Sequence, residues 1–227
     1  MDERPGDDDP AVIAAAVRVE LRAGAEPHRA AGQQAYMKSD MPFLGVRVPE
    51  ARAVARRIGR DASPETVLAA AGLLWDEATH REERYAAQAL LGVAALRGDP
   101  DLVPVIEHMV TTGRWCDYTD AVAHRVAELL DADPVPAAAL VRAWSIHEDL
   151  WLRRLSIIAQ LARRDRLDTV LLADVIGVNA DDAEFFIRKA IGWALRDAAR
   201  TFPEWVREFV ATHALSPLSL HEATKHL

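Results

Sequence analysis

Apolar residues recur along this chain in the pattern of an amphipathic helix, and that helix recurs at a fixed interval. Between Trp151 and Arg164 the apolar residues fall at three- and four-residue spacing, with arginines on the other side, which predicts a helix over this stretch. Counted from Asp149, similar stretches begin 34 residues earlier and 34 residues later, and one step earlier still a helical stretch is expected from Arg81 to residue 96. Four helices are therefore expected to begin near residues 81, 115, 149 and 183.

A second set of apolar stretches keeps roughly the same interval. In three of its members proline directly follows a residue that can cap a helix, where its missing N–H costs nothing. A fixed interval of this length is typical of stacked helical pairs, in which no single pair buries its own apolar face. We therefore predict an all-α fold, a curved solenoid (superhelix) of about six antiparallel helical pairs. The second helices of these pairs should begin near Ser63, Asp99, Asp133, Asp168 and Phe202.

The segments that flank the repeats are also predicted to be largely helical. One helix is expected from Ala11 to Ala23, and a short one over residues 28–37. Proline and glycine residues make 39–48 a loop, after which a helix should run from about Pro49 to Gly59. Near the end of the chain, Ser216 is placed to cap a terminal helix.

Composition favours one helical domain. The chain has 227 residues, of which 50% are apolar, and glycine is sparse. We expect a single domain over residues 11–227 and a disordered acidic tail over residues 1–10. The one cysteine, Cys116, excludes an internal disulfide, and no apolar run approaches the roughly 20 residues of a membrane helix. The first ten residues lack the order of a secretory signal. We therefore expect a cytoplasmic protein that does not interact with membranes, and a monomer.

The distribution of charge matters more than the net charge of -8. Five acids lie within the first ten residues, so much of the excess belongs to the predicted tail. Basic residues collect in three stretches, 47–60, 153–166 and 188–200. Such stretches are usually solvated helix faces. They are also what a nucleic-acid partner would require.

The 34-residue interval also predicts which residues share a surface. Asp120 plus 34 is Arg154, and equivalent positions of consecutive repeats lie side by side in a solenoid. Aromatic residues from the same helices, including Trp115 and Trp193, are expected close by. One interpretation is an Asp–Arg pair that ties adjacent repeats together. The other is a basic groove with an aromatic floor and one carboxylate, suited to a cationic base in nucleic acid.

Five sequence blocks resemble, in the right order, those of bacterial DNA alkylation-repair glycosylases of the AlkD type, which are built from HEAT-like helical repeats. The resemblance runs from about Ala11 to Leu227 and is carried by YMKSDMPFLGVRVPEAR, RWCDYTDAV, DLWLRRLSIIAQL, EFFIRKAIGWALRD and LSPLSLHEATKHL. It implies an N-glycosylase that excises cationic N3- and N7-alkylated purines from double-stranded DNA bound in the concave surface. It further implies that the base stays in the duplex, in contrast to enzymes that flip their target. No metal or organic cofactor is implied.

The resemblance also implies roles for single residues at the reacting centre. It assigns catalysis to Asp120, with Arg154 beside it and Trp193 as one wall of an aromatic cleft. An ionised carboxylate could stabilise positive charge on the deoxyribose and orient water. Arg154 is expected to hold the pKa of Asp120 down and to grip a phosphate.

Other residues are expected to contact DNA. The resemblance places Tyr36 near the lesion, and Lys189 and Arg196 along the backbone. Arg47, in the first basic stretch, is expected to join them.

One position departs from the family pattern. The family has two consecutive tryptophans before the aspartate, and here the pair is Trp115 and Cys116. A thiol offers less area and little quadrupole to a cationic base, so the change costs about 0.5 to 2 kcal/mol of attraction. With no base nearby in sequence, Cys116 is expected to be a small buried apolar residue and not a nucleophile.

Two alternative functions follow from these observations. The first is a DNA-binding relative whose excision is weak, lost or specialised for bulky adducts, which the widened cleft at Cys116 would suit. The second is a HEAT-type protein-interaction scaffold, which predicts no salt-dependent duplex binding and no role for Asp120.

Overall fold

The protein is helical throughout the part that the structure describes. A computed structural model describes residues 9–225 and 227, and these form thirteen α-helices and two short 3₁₀ helices, with no strand. The all-α class is confirmed. Contacts divide the chain into two compact units, Met1–Arg97 and Gly98–Leu227, and each is described in turn. The single continuous domain over 11–227 stays a prediction.

The first unit contains five α-helices. Asp9 caps the first of them through its side chain, which accepts a hydrogen bond from the backbone N–H of Ala11, so this helix begins one residue earlier than predicted. Residues 1–8, which hold the rest of the predicted acidic tail, lie outside the described residues. The helices are α1 (Pro10–Ala23), α2 (Pro27–Met37), α3 (Val48–Ile58), α4 (Pro64–Asp76) and α5 (Arg81–Leu90), followed by a 3₁₀ helix at Ala94–Leu96.

A buried carboxylate fixes the predicted loop between α2 and α3. Glu82 accepts hydrogen bonds from the backbone N–H groups of Leu44, Gly45 and Val46 over distances of 2.9 to 3.2 Å. Gly45 has a φ of 92°, and a Cβ there would lie 2.0 Å from the carbonyl oxygen of Glu26. Only glycine fits this position, because both the conformation and the space exclude a side chain.

The second unit contains eight α-helices and a 3₁₀ helix at Arg164–Arg166. Its buried core includes Trp151, Leu155 and Ile158 of the stretch that set the repeat. The predicted terminal helix is present, and the hydroxyl of Ser216 caps it by accepting a hydrogen bond from the Ser219 N–H at 3.1 Å. The helices are α6 (Leu102–Gly113), α7 (Cys116–Ala132), α8 (Pro134–Ser145), α9 (Leu150–Ile158), α10 (Thr169–Gly177), α11 (Phe185–Ala198), α12 (Pro203–Thr212) and α13 (Pro217–Ala223).

The predicted interval is confirmed at both sets of helix starts. The residues that precede α5, α7, α9 and α11 are at positions 80, 115, 149 and 184, within one residue of the expected spacing. Ser63, Asp133, Asp168 and Phe202 each directly precede a helix of the second set. The prediction at Asp99 was early, because α6 begins only at Leu102.

The predicted helix over 151–164 was too long. Helix α9 ends at Ile158, although apolar residues continue to Ala162 at helical spacing. The chain turns because Gln160 exchanges two side-chain hydrogen bonds with the backbone of Asp168, both 2.9 Å long. Ala162, with a φ of 63°, donates its N–H to Asp197. The stretch from Arg81 was likewise predicted to be helical to residue 96, and α5 ends at Leu90.

Among the described residues, no helix combines the length and the apolar character that crossing a membrane requires.

Candidate functional site

Asp120 and Arg154 form a two-pronged salt bridge between neighbouring helices. Asp120 lies in α7 and Arg154 in α9, and these helices pack against each other. Nε and Nη2 of Arg154 donate to Oδ1 and Oδ2 of Asp120, and both bonds measure 2.9 Å. The predicted proximity of these two residues is confirmed. A paired fork of this kind fixes the carboxylate in orientation as well as in position.

The guanidinium of Arg154 is occupied by the protein itself. Its remaining terminal nitrogen, Nη1, donates to the backbone carbonyl of Phe186 in α11 at 2.7 Å. The side chain of Arg154 is only 6% exposed, whereas that of Asp120 is 25% exposed. The buried arginine thus joins α7, α9 and α11, and the carboxylate is the part of the pair that solvent can reach.

Aromatic rings from α9, α11 and the residue before α7 pack against one another, and one of them belongs to Phe186, whose backbone carbonyl binds Arg154. The ring of Phe186 is 4.9 Å from that of Trp151 and 6.0 Å from that of Trp115, measured between centroids. Phe185, which is exposed, packs edge-on against Phe186 at 5.4 Å. Tilted and edge-on rings at these distances attract one another through their quadrupoles. We call these four rings the aromatic cluster.

Burial dominates the electrostatics of Asp120. Desolvation raises the pKa of Asp120 above its usual range, while the hydrogen bonds and the charge of Arg154 lower it and Asp117 raises it further. Arg154 lowers this pKa, in the direction expected, but the effect of burial is larger and the net shift is upward. The arginine offsets part of the cost of burying the carboxylate and does not exceed it.

Cys116 is half-buried at the first residue of α7. Burial, followed by the charge of Asp120, raises the pKa of its thiol. The residue is therefore a neutral thiol at pH 7, but it is less buried than the small apolar residue expected from the sequence.

The other predicted residues of the second unit share one side of α11. Lys189, Trp193 and Arg196 follow Phe186 at spacings of three, four and three residues, which places all four along one helix face. Each is partly exposed. Lys189 and Arg196 both bind Glu222 of α13, at 3.0 and 2.6 Å.

Tyr36 and Arg47 belong to the first unit. Tyr36 is 86% exposed near the end of α2, and Arg47 is exposed directly before α3. The loop that Glu82 fixes joins these two positions. An exposed tyrosine and an exposed arginine on a fixed segment are suited to contacts with a phosphate or a sugar.

Three residues of this region, Phe186, Glu222 and Lys225, were given no role from the sequence. Phe186 was noted only as an aromatic, and its backbone carbonyl, which receives Arg154, gives no signal in a sequence. Glu222 and Lys225 stand in the block LSPLSLHEATKHL, whose distinctiveness was the available signal, but no role followed from it. In the described part of the chain, no three His, Cys, Asp or Glu side chains are grouped so that they could hold a metal ion.

Comparison with known proteins identifies the family. A model of the DNA alkylation repair enzyme family matches residues 17–227. No curated protein matches the chain significantly. A solved structure described as a predicted DNA alkylation repair enzyme from Enterococcus faecalis is 28% identical, with a TM-score of 0.78, over 89% of this chain and 96% of that one.

Two further solved structures are similar in fold. AlkD2 from Streptococcus mutans is 18% identical with a TM-score of 0.66, over 87% of this chain and 98% of that one. The protein smu.31 from Streptococcus mutans UA159 is 19% identical with a TM-score of 0.63, over 79% of this chain and 92% of that one. The family match covers every candidate site residue, from Tyr36 to Arg196. The chain belongs to the DNA alkylation repair enzyme family.

Proposed function

We propose that the protein is a DNA N-glycosylase that releases cationic N3- and N7-alkylated purines from double-stranded DNA. The observation that carries this proposal is a partly exposed carboxylate, Asp120, fixed by a buried arginine beside the aromatic cluster. The family to which the chain belongs repairs alkylated DNA, which supports the substrate class. Release of free base from a duplex that carries an alkylated purine tests the proposal.

The proposed reaction needs an anion beside the deoxyribose but no general acid to protonate the purine, because the purine is already cationic. The bond between C1′ and the purine nitrogen breaks, its electron pair neutralises the cationic purine, and positive charge grows on the deoxyribose. Asp120 stabilises that charge and orients the water whose oxygen attacks C1′. The water then loses a proton to solvent or to the carboxylate, which leaves an abasic sugar and a neutral base.

Within this proposal, Arg154 is a positioning residue. Its donors go to Asp120 and to the carbonyl of Phe186, and its side chain exposes little surface to a phosphate. We therefore assign to it the orientation of the carboxylate and not the phosphate contact expected from the sequence. A guanidinium is always charged, so it also favours the ionised form of its partner.

The exposed Phe185 and the partly exposed Trp115 and Phe186 of the aromatic cluster offer ring surface to a cationic base, whereas Trp151 is buried. An aromatic face attracts such a base by about 0.5 to 2 kcal/mol. In this chain Trp115 contributes one ring near Phe186, while the next position offers only the thiol of Cys116.

Replacing Cys116 by tryptophan should therefore raise the excision rate for small methyl adducts by about 2- to 30-fold, if the new ring contact is strengthened in the transition state. Single-turnover rates on duplexes with 7-methylguanine measure the effect. Cys116→Ser, which keeps the small size, serves as the control and should show no gain. An equal or lower rate for Cys116→Trp, with the fold intact, would show that this position does not face the reacting base.

As the pH is lowered, the excision rate should begin to fall at a higher pH than it would if Asp120 had the pKa of an ordinary aspartate. The ionised carboxylate is the active form, and burial raises the pKa of Asp120 above its usual range, so protonation should lower the rate at a higher pH than it would for an unperturbed aspartate. The measurement is a pH profile of the single-turnover rate, corrected for depurination without enzyme. A rate that stays constant down to about pH 4 would contradict the role of this carboxylate.

A DNA-binding relative without excision is the second candidate function. It is favoured by Cys116 and by the occupation of both oxygens of Asp120 by Arg154, which is also what a purely structural tether would show. Both candidates predict salt-dependent binding to duplex DNA. Only the first predicts release of base.

A further inference from the structure

A second carboxylate of the same unit gathers three cations. Glu222, in α13, accepts from Nζ of Lys189 at 3.0 Å and from Nζ of Lys225 at 2.6 Å through Oε1, and from Nη1 of Arg196 at 2.6 Å through Oε2. The side chain of Glu222 is only 8% exposed, whereas all three cations are partly exposed. The group therefore presents positive charge outward over a buried negative charge.

Close packing of two helices brings Glu222 to this position. A Cβ on Gly192 of α11 would lie 2.4 Å from Cβ of Glu222 and 2.9 Å from the carbonyl oxygen of Ser219. Ser219, which is buried, donates its hydroxyl to the carbonyl of Arg188 at 3.0 Å. Gly192 thus lets α13 approach the backbone of α11, and the hydroxyl fixes the register.

Glu222 uses only a small part of the hydrogen-bonding capacity of the three cations. Glu222 takes one donor from each, which leaves two N–H groups on each lysine and four on the arginine. The charges sum to a net excess of two positive charges, since three cations face one carboxylate. Lys225 and Lys189 lower the pKa of Glu222 to about 2, so the carboxylate is ionised at neutral pH.

The spacing of these cations fits a nucleic-acid strand. Lys189 and Arg196 are seven residues apart on α11, or about 10 Å along the helix axis. Their charged groups converge on one carboxylate and so lie closer together than their backbones. Since one DNA strand advances about 3.4 Å per phosphate along the duplex axis, the group faces about two neighbouring phosphates. Trp193 lies between them on the same face, where it can contact a sugar.

We propose that Lys189, Arg196 and Lys225 form one phosphate-binding site for a DNA strand, and that Glu222 positions the three cations. This proposal rests on the proposed function for its ligand. It adds Lys225 as a DNA contact and Glu222 as a residue whose negative charge increases affinity for a polyanion by orienting its neighbours.

Lys225→Ala tests the site without disturbing the fold, because Lys225 lies beyond the last helix and is partly exposed. We expect weaker binding to an undamaged duplex of mixed sequence, and a slope of log K against log salt that is smaller by about 0.9. Arg207→Ala is the matched control, because Arg207 is an exposed cation of α12 paired with Glu204 and should leave the slope unchanged. A slope for Lys225→Ala equal to that of the unsubstituted protein overturns the site.

Glu222→Gln tests the positioning role through the sign of its effect. The substitution adds one positive charge to the surface, so a carboxylate that only neutralises its neighbours would predict tighter binding of the same duplex. We expect binding to weaken several-fold instead, because the amide cannot orient three cations. Tighter binding overturns the role of Glu222.

Binding of undamaged DNA by the unsubstituted protein distinguishes a failure of this phosphate-binding site from a failure of the proposed function. If the unsubstituted protein binds this duplex without salt dependence, its DNA-binding function is wrong and the site with it. If binding is salt-dependent and only Lys225→Ala is without effect, the site alone is wrong.

Discussion

Replacing Asp120 by asparagine should reduce excision of cationic purines by about 10²- to 10³-fold, the usual loss when one fixed electrostatic contact to the transition state is removed. Asparagine keeps the shape of the side chain but removes the charge that stabilises the sugar cation, so the loss belongs to the chemical step. Binding of duplex DNA should be equal or tighter, because a negative charge that faces a polyanion has been removed. Single-turnover excision and duplex affinity are the two measurements.

Asp117→Asn provides the matched control for this substitution. Asp117 lies one turn earlier in α7 and its charge acts on Asp120, so its replacement removes the same charge from the same surface. We expect the control to keep excision. In Asp120→Asn, the side-chain NH2 group replaces an oxygen that accepted a hydrogen bond from Arg154, so two donors face each other. We expect this to lower the free energy of unfolding by about 1 to 3 kcal/mol. Thermal unfolding must therefore confirm that the variant is folded; a folded Asp120→Asn protein that excises at the full rate would make the salt bridge only a tether between helices.

Replacing Arg154 by lysine should lower the chemical rate by up to about 10²-fold while changing duplex affinity little. Lysine keeps the charge but loses the fork that holds both oxygens of Asp120 and the bond to the Phe186 carbonyl. A carboxylate that is displaced by about 1 Å loses much of its effect on the transition state. The hydrogen bond from Arg154 lowers the pKa of Asp120, so weakening it should also move the acid limb of the rate profile to higher pH.

Arg153→Lys is the control for the effect of Arg154. Arg153 is the neighbouring residue of α9 and pairs with Asp182 at 3.3 Å, so the same chemical change is made at a second inter-segment salt bridge. It should affect stability but neither the rate nor its pH dependence. An acid limb that stays in place in Arg154→Lys, or that moves equally in Arg153→Lys, would contradict the positioning role.

Much of the fold follows from signals that are local in the sequence. Capping residues such as Ser63, Asp133 and Asp168 mark helix starts because their side chains or following prolines satisfy the first turn. The repeat adds information about contacts between distant residues, because a constant interval indicates which helices are equivalent. From that interval alone the contact between Asp120 and Arg154 could be predicted, and the structure confirms it.

The remainder depends on contacts between segments that are distant in the sequence. The apolar pattern gave no sign that α9 ends at Ile158, because the turn depends on Gln160 binding Asp168 and on Ala162 binding Asp197. The sign of the pKa shift at Asp120 depends on burial, which a sequence does not state.

The basic stretches show the same limit. Several of their cations pair with carboxylates of the same chain, as the exposed Arg57 does with Glu20 and the buried Arg163 with Asp131. Charge runs alone therefore did not distinguish cations proposed to contact DNA from those that tie helices together. The cluster around Glu222 could not be read from them, because its carboxylate comes from another segment.

The most direct test of the central claim is the release of free base from duplex DNA that carries 7-methylguanine, 3-methyladenine or a bulky cationic adduct. Purified protein is incubated with each duplex, and liberated base is measured against the same duplex without protein and with Asp120→Asn. We expect the unsubstituted protein to release at least one of these cationic purines, and the Asp120→Asn variant to release it far more slowly. Salt-dependent binding of these duplexes with no base released from any of them would contradict the glycosylase proposal and favour a DNA-binding protein without excision.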